Sequence, residues 1–187
     1  MQVLEVTIEE VYRRDIKKIQ FVRFERDPAN DEGVRTVHET VLVPVEHASV
    51  RFAGLGDYTT GDTVAGDAVF VMSVLRDELY ELHARNDHEL HATIEVSPYE
   101  LCFGGRRVLP HPSGNGNTIV LEIGPSFFER LERIVTVPRH GLFDAQMGIR
   151  KDLHLSFRVC TELDSRQMRA LRMAFCTTPA VRPEDEG

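Results

Sequence analysis

The sequence predicts a β-rich α+β fold: a single domain with a mostly antiparallel, barrel- or sandwich-like sheet and about three short helices. Three observations predict it. Apolar and polar residues alternate with period two in several stretches, as at residues 1–6 and 88–96. Polar, Gly- and Pro-containing turn signals separate these runs at 27–33, 54–67 and 110–117. Capped helical periodicity is confined to three places.

The chain opens on strand-like alternation, Met1-Gln2-Val3-Leu4-Glu5-Val6. Thr7 and Glu10 then make a capping box, and Ile8, Val11, Tyr12, Ile16 and Ile19 trace one face, so a helix is expected over 8–19. Strands are expected at 20–25, 35–46 and 49–53. The segment 54–67, with four glycines, reads as two successive turns. Residues 67–75 are apolar on both faces, as in a central strand, and residues 118–123 are similar. Residues 77–84 and 88–96 flank Arg85-Asn86-Asp87 and read as a hairpin. Further strands are expected at 99–103, 118–123 and 153–160, and a loop over 105–117. Ser126 with Glu129 caps a second helix near 127–134. Asp164 with Gln167 caps a third, with Leu163 as a staple and Met168, Leu171 and Phe175 as its apolar stripe. No internal repeat is visible. One domain over 1–176 is expected, followed by an acidic, disordered tail at 177–187.

Composition excludes several function classes. No apolar run approaches bilayer length, and the N-terminus has no basic region followed by an apolar core. Cys102, Cys160 and Cys176 are widely spaced, with no C-x-x-C pair, which argues for reduced thiols in a cytoplasmic protein. The net charge of −8 argues against a dedicated nucleic-acid binder. Arg166, Arg169 and Arg172 read as a solvated helix face. The glycines at 54, 56 and 61 precede no helix and so make no dinucleotide site, and no cofactor is expected.

The 77–96 hairpin sorts its side chains cleanly. With a turn at 85–87, residue 83 faces 89 and 81 faces 91. Tyr80, Leu82, Leu90, Ala92, Ile94 and Val96 then form a core face. The other face carries Glu81, His83, Glu89 and His91, the ligand types that zinc or iron takes. The cupin fold builds its metal site on such strands, although its His-x-His followed by Glu is not present here.

Five of the eight histidines are followed two residues later by Ser or Thr, against about one expected from composition. Strand alternation alone favours such pairs. Two of them, His91-Ala92-Thr93-Ile94 and His154-Leu155-Ser156-Phe157, are each preceded by Leu and followed by an apolar residue. They resemble the paired signatures of the 2H phosphoesterase family. The resemblance implies His91 and His154 as general base and acid on a cyclic or 2′,5′ phosphodiester, with Thr93 and Ser156 holding phosphate oxygens. The first motif is expected to run through Ser97-Pro98 into a strand, where that family has a helix. Residues 108–131, with a Gly-rich His-Pro loop, a strand and a short helix, resemble the sensor domains of AraC-type regulators.

The reading that follows is a non-catalytic binding or assembly module, with loops 54–67 and 105–117 as contact surfaces. Its expected partner is another protein or a second copy of itself in a homo-oligomer, with no membrane and no nucleic acid. The balance leans against an enzyme. The alternatives are 2H-type phosphoesterase chemistry at His91, Thr93, His154 and Ser156, and a small-molecule or metal-binding sensor of cupin or AraC-sensor type.

Overall fold

The computed structural model describes residues 1–29, 33–59, 64–83, 86–124, 134–160 and 164–175. Along the chain these form β1 (Gln2–Val6), α1 (Ile8–Arg13), β2 (Ile16–Arg26), β3 (Val34–Pro44), β4 (Ser49–Phe52), β5 (Ala68–Val74), β6 (Tyr80–His83) and β7 (Asn86–Val96). There follow α2 (Pro98–Phe103), β8 (Gly105–Pro110), β9 (Thr118–Ile123), β10 (Ile134–Val137), β11 (Phe143–Asp144), β12 (Ile149–Arg150), β13 (Leu153–Val159) and α3 (Ser165–Phe175). The β-rich α+β class is as the sequence predicts. The described strands form separate sheets of orders β1-β5-β4, β10-β13-β7-β6, β2-β3, β8-β9 and β11-β12, and close no barrel. Pairing is mostly antiparallel, as in β2–β3, β4–β5 and β6–β7, while β1 runs parallel to β5.

Two compact units emerge. One holds residues 1–92, 110–118 and 136–154, and the other 93–109, 119–135 and 155–187. In the first, Leu4, Val41, Val43 and Phe70 form a buried cluster against which Ile19, Phe21, Val50, Phe52 and Met72 pack. Phe21 and Phe52 meet Phe70 edge-on, with ring centroids 5.5 and 5.8 Å away. Such geometry adds to the burial of three large rings. In the second unit Ile94, Val96, Leu109, Ile119, Leu121, Ile123 and Leu155 are buried. Strand β9, expected to be apolar on both faces, instead alternates exposed and buried residue by residue and leaves Val120 exposed.

Contrary to the expectation of no repeat, a motif recurs. Leu4-Glu5-Val6-Thr7-x-x-Glu10 in β1–α1 matches Ile94-Glu95-Val96-Ser97-x-x-Glu100 in β7–α2. In both, the hydroxyl residue caps a six-residue helix through a complete capping box. Both strands also end alike. Val6 O accepts the N–H of Leu75, and Val96 O that of Cys160, each at 2.8 Å. Seven residues with this much substitution are too few to register as a repeat until the shared geometry is seen.

Three local expectations are corrected. The helix over 8–19 stops at Arg14, which takes a left-handed conformation (φ 61°) and donates to Glu10 O and Val11 O. Residues 16–19 belong to β2 instead. The helical spacing of Ile16 and Ile19 is fortuitous, because Ile19 packs on the core while Ile16 is exposed. Residues 99–103 are helical, not extended, because Ser97, Pro98 and Glu100 supply N-cap, N1 and N3. Loop 105–117 begins with strand β8. The helix expected near 127–134, apart from its last residue, and the tail at 177–187 lie outside the described residues. On α3, Asp164 and Gln167 cap reciprocally as expected, yet Met168 is exposed.

Candidate functional site

Strand β7 carries Glu89 and His91 on one side and the buried Leu90 and Ala92 on the other. The neighbouring strand β13 carries His154 beside the buried Leu153. The core residues hold both strands in place, so the polar side chains meet without further ordering of backbone. The rings of His91 and His154 stand 5.0 Å apart, centroid to centroid, with planes tilted by 32°. His154 Nε2 lies 3.8 Å from Glu89 Oε2, and its Nδ1 lies 3.3 Å from Thr136 Oγ1 on β10. One ligand atom from each of Glu89, His91 and His154 falls within 4.8 Å of the other two. All three side chains are partly buried.

The two strands keep a constant offset. His91 meets His154, Thr93 Oγ1 lies 3.2 Å from Ser156 Oγ, and Arg158 pairs with Glu95. Each pair is 63 residues apart, which is the signature of parallel neighbours. Both motif strands lead into a helix, β7 into α2 and β13 into α3, so the expected strand after Ser97-Pro98 is replaced by a helix.

The other residues singled out in the sequence fall as follows. Glu81 faces His91 across β6–β7, as expected, and is exposed. His83 faces Asn86 rather than Glu89, because the ladder shifts between Leu82 and His83. Of the anticipated four residues, Glu89 and His91 gather with His154, a residue 63 positions beyond His91. No local spacing signals that addition.

A second feature escaped the sequence reading. A groove of about 230 Å³ is floored by Phe21, Leu55, Ala68 and Phe70 and rimmed by Gln2, Arg23, Asp57 and Asp67. Strand β2 borders it and pairs only with β3 among the described residues. Phe24 N–H donates to Asp57 Oδ1 (2.9 Å), and Phe24 O accepts from Tyr58 N (2.8 Å). Its backbone thus points away from β3. By strand alternation, Val22 and Gln20 turn their N–H and C=O groups to that same side. The outward side chains of β2 and β3 include Ile16, Val22, Phe24, Val34 and Leu42, all exposed. Arg23 is buried and held by Glu39 (2.9 Å) and Glu25 (3.3 Å). The loop wall is pinned by Gly56 N to Gly66 O (2.8 Å) and Gly66 N to Asp57 O (3.0 Å).

A third cluster gathers around Tyr12. His111 meets its ring edge-on at 5.2 Å, Arg150 stacks over it at 4.0 Å, and His140 lies 5.3 Å from His111. Burial, then the charges of His140 and Arg150, push the His111 pKa down. Nearby in sequence to this loop, Pro110 O accepts the Tyr80 hydroxyl, and burial raises Tyr80 to about 12.

No helix among the described residues is long and apolar enough to cross a membrane. No curated protein matches this chain in sequence. A family model does: the DnaJ C terminal domain, over residues 2–161. Domains of that family are β-rich, non-catalytic modules of protein interaction and dimerisation. The recurring strand–cap–helix motif and the mostly antiparallel sheets lie within the matched span. The chain belongs to the DnaJ C terminal domain family, and is a binding or assembly module that engages a protein partner or a second copy of itself.

Proposed function

We propose that this chain captures extended, apolar segments of other polypeptides by adding them as a strand to the open side of β2. The observation that carries this reading is the coincidence of a strand edge that no second strand among the described residues pairs with and a groove floored by Phe21, Leu55 and Phe70. An edge strand presents a row of N–H and C=O groups that a second chain satisfies, and pockets beside it select alternate side chains. Val22 and Gln20 supply the backbone groups, and Phe21, Leu55 and Phe70 the apolar floor. The groove is smaller than the roughly 300–1,000 Å³ of a small-molecule pocket, and suits one or two side chains. The family supports the same reading, and lends none to the phosphoesterase or sensor alternatives.

The test is fluorescence anisotropy of a labelled, extended apolar peptide titrated with the full chain. Val22→Pro deletes an N–H on the open side, where an edge strand tolerates proline. Leu55→Asp places a charge in the groove. Each is expected to weaken binding roughly tenfold or more, about 1.4 kcal/mol, with an unchanged far-ultraviolet spectrum. Equal affinity for wild type and both variants would remove β2 as the site.

A further inference from the structure

We propose that Glu89, His91 and His154 bind a divalent transition-metal ion, and that Zn²⁺ is the ion they suit best. Two imidazole nitrogens and one carboxylate oxygen are donors that zinc accepts, and calcium or magnesium would want more oxygen. The ligand atoms already lie within 4.8 Å of one another. Tetrahedral zinc with bonds of about 2.0–2.1 Å needs them about 3.4 Å apart. Glu89 Oε2 and His154 Nε2, at 3.8 Å, are almost there. Metal binding would draw the three side chains together by about an ångström.

The surroundings fit a ligand set. Leu90, Ala92 and Leu153 are buried and anchor the two strands, so the donors are set by the sheet rather than by a loop. Thr136 Oγ1 sits against His154 Nδ1. A hydrogen on Nδ1 donated to that hydroxyl leaves the lone pair on Nε2, the atom facing Glu89. This is how a supporting shell orients a metal-binding histidine. The side chains of His154 and Glu89 are 23% and 30% exposed, so an ion reaches them from solvent. Three protein ligands leave a fourth position for water or a donor from a bound partner. The two histidines come from β7 and β13, so a bound ion would clip these neighbouring strands together.

Isothermal titration of the full chain with ZnCl₂, and the visible spectrum with Co²⁺, test the site. One Zn²⁺ per chain is expected. His91→Ala and His154→Ala should each weaken it more than tenfold. Glu89→Gln, which keeps size and shape, should weaken it as well. Thr136→Val should cost about tenfold through the His154 ring. His140→Ala, in the Tyr12 cluster, should leave affinity unchanged. Zn²⁺ should raise the melting temperature of the wild type but not of His154→Ala, by mass action on the folded state. Absence of both zinc heat and a tetrahedral cobalt spectrum would overturn the proposal. So would a loss with His140→Ala equal to that with His91→Ala, or unaltered affinity in Glu89→Gln and His154→Ala together.

Discussion

The imidazoles of His91 and His154, 63 residues apart in sequence, stand 5.0 Å apart, centroid to centroid. The same offset joins Thr93 to Ser156 and Glu95 to Arg158. The two His-x-Ser/Thr motifs are therefore matched rungs of neighbouring strands. Strand alternation repeated on two adjacent strands is enough to produce such a pattern.

Phosphodiester chemistry gives the first prediction. A binding module needs no general acid or base, and Thr93 and Ser156 lie within hydrogen-bond reach of each other. Hydrolysis of a 2′,3′-cyclic nucleotide by wild type is expected to equal that of the His91→Ala/His154→Ala double variant. A wild-type rate that the double variant abolishes would return the pair to catalysis.

Phe70 should dominate the stability of the first unit. It is 1% exposed and packs between Phe21 and Phe52. Phe70→Ala is expected to cost about 3–5 kcal/mol, from lost burial plus the cavity left behind. Urea unfolding measures it, and a loss below 1 kcal/mol would contradict the packing described.

The recurring cap motif predicts matched effects. Thr7→Ala and Ser97→Ala each remove a hydroxyl that accepts from the N3 backbone, of Glu10 and Glu100, at 3.2 Å. Each should cost about 1 kcal/mol. Glu10→Ala and Glu100→Ala should cost less than the hydroxyl changes. Chemical denaturation of the four variants checks this, and a neutral Ser97→Ala would break the equivalence.

Stability should fall at both ends of the pH scale. The folded state lowers the His111 pKa below 6.5, so the unfolded chain takes up a proton more readily. The contribution of His111 is thus full above about 6.5 and lost as pH falls through the lower folded value. Tyr80 moves the other way, from 10 to about 12. Its contribution is full below 10 and lost as pH rises through about 12. His111→Phe should flatten the acid limb and Tyr80→Phe the alkaline one, in denaturant unfolding followed across pH. Unchanged slopes would contradict both shifts.

Sequence by itself determined the elements whose cause is local. The β-rich class follows from period-two alternation, seen intact in Leu90, Ala92, Ile94 and Val96 of β7. The start of α1 follows from Thr7 and Glu10, and that of α3 from Asp164 and Gln167. By the same rule Ser97 and Glu100 announced α2, and a strand reading of 99–103 overlooked them. The end of α1 was less legible. Arg14 is no usual left-handed residue, and Ile16 keeps helical spacing by accident. Tertiary structure decided what depends on pairing between distant segments. The placement of His154 beside Glu89 and His91 rests on which strand neighbours β7, and no residue near His91 encodes that choice. Among the described residues β3, and no second strand, likewise pairs with β2. Periodicity tells a strand which face to bury, but hydrogen bonding along the edge is the same for every sequence. Partner and register are therefore set only when the whole core packs.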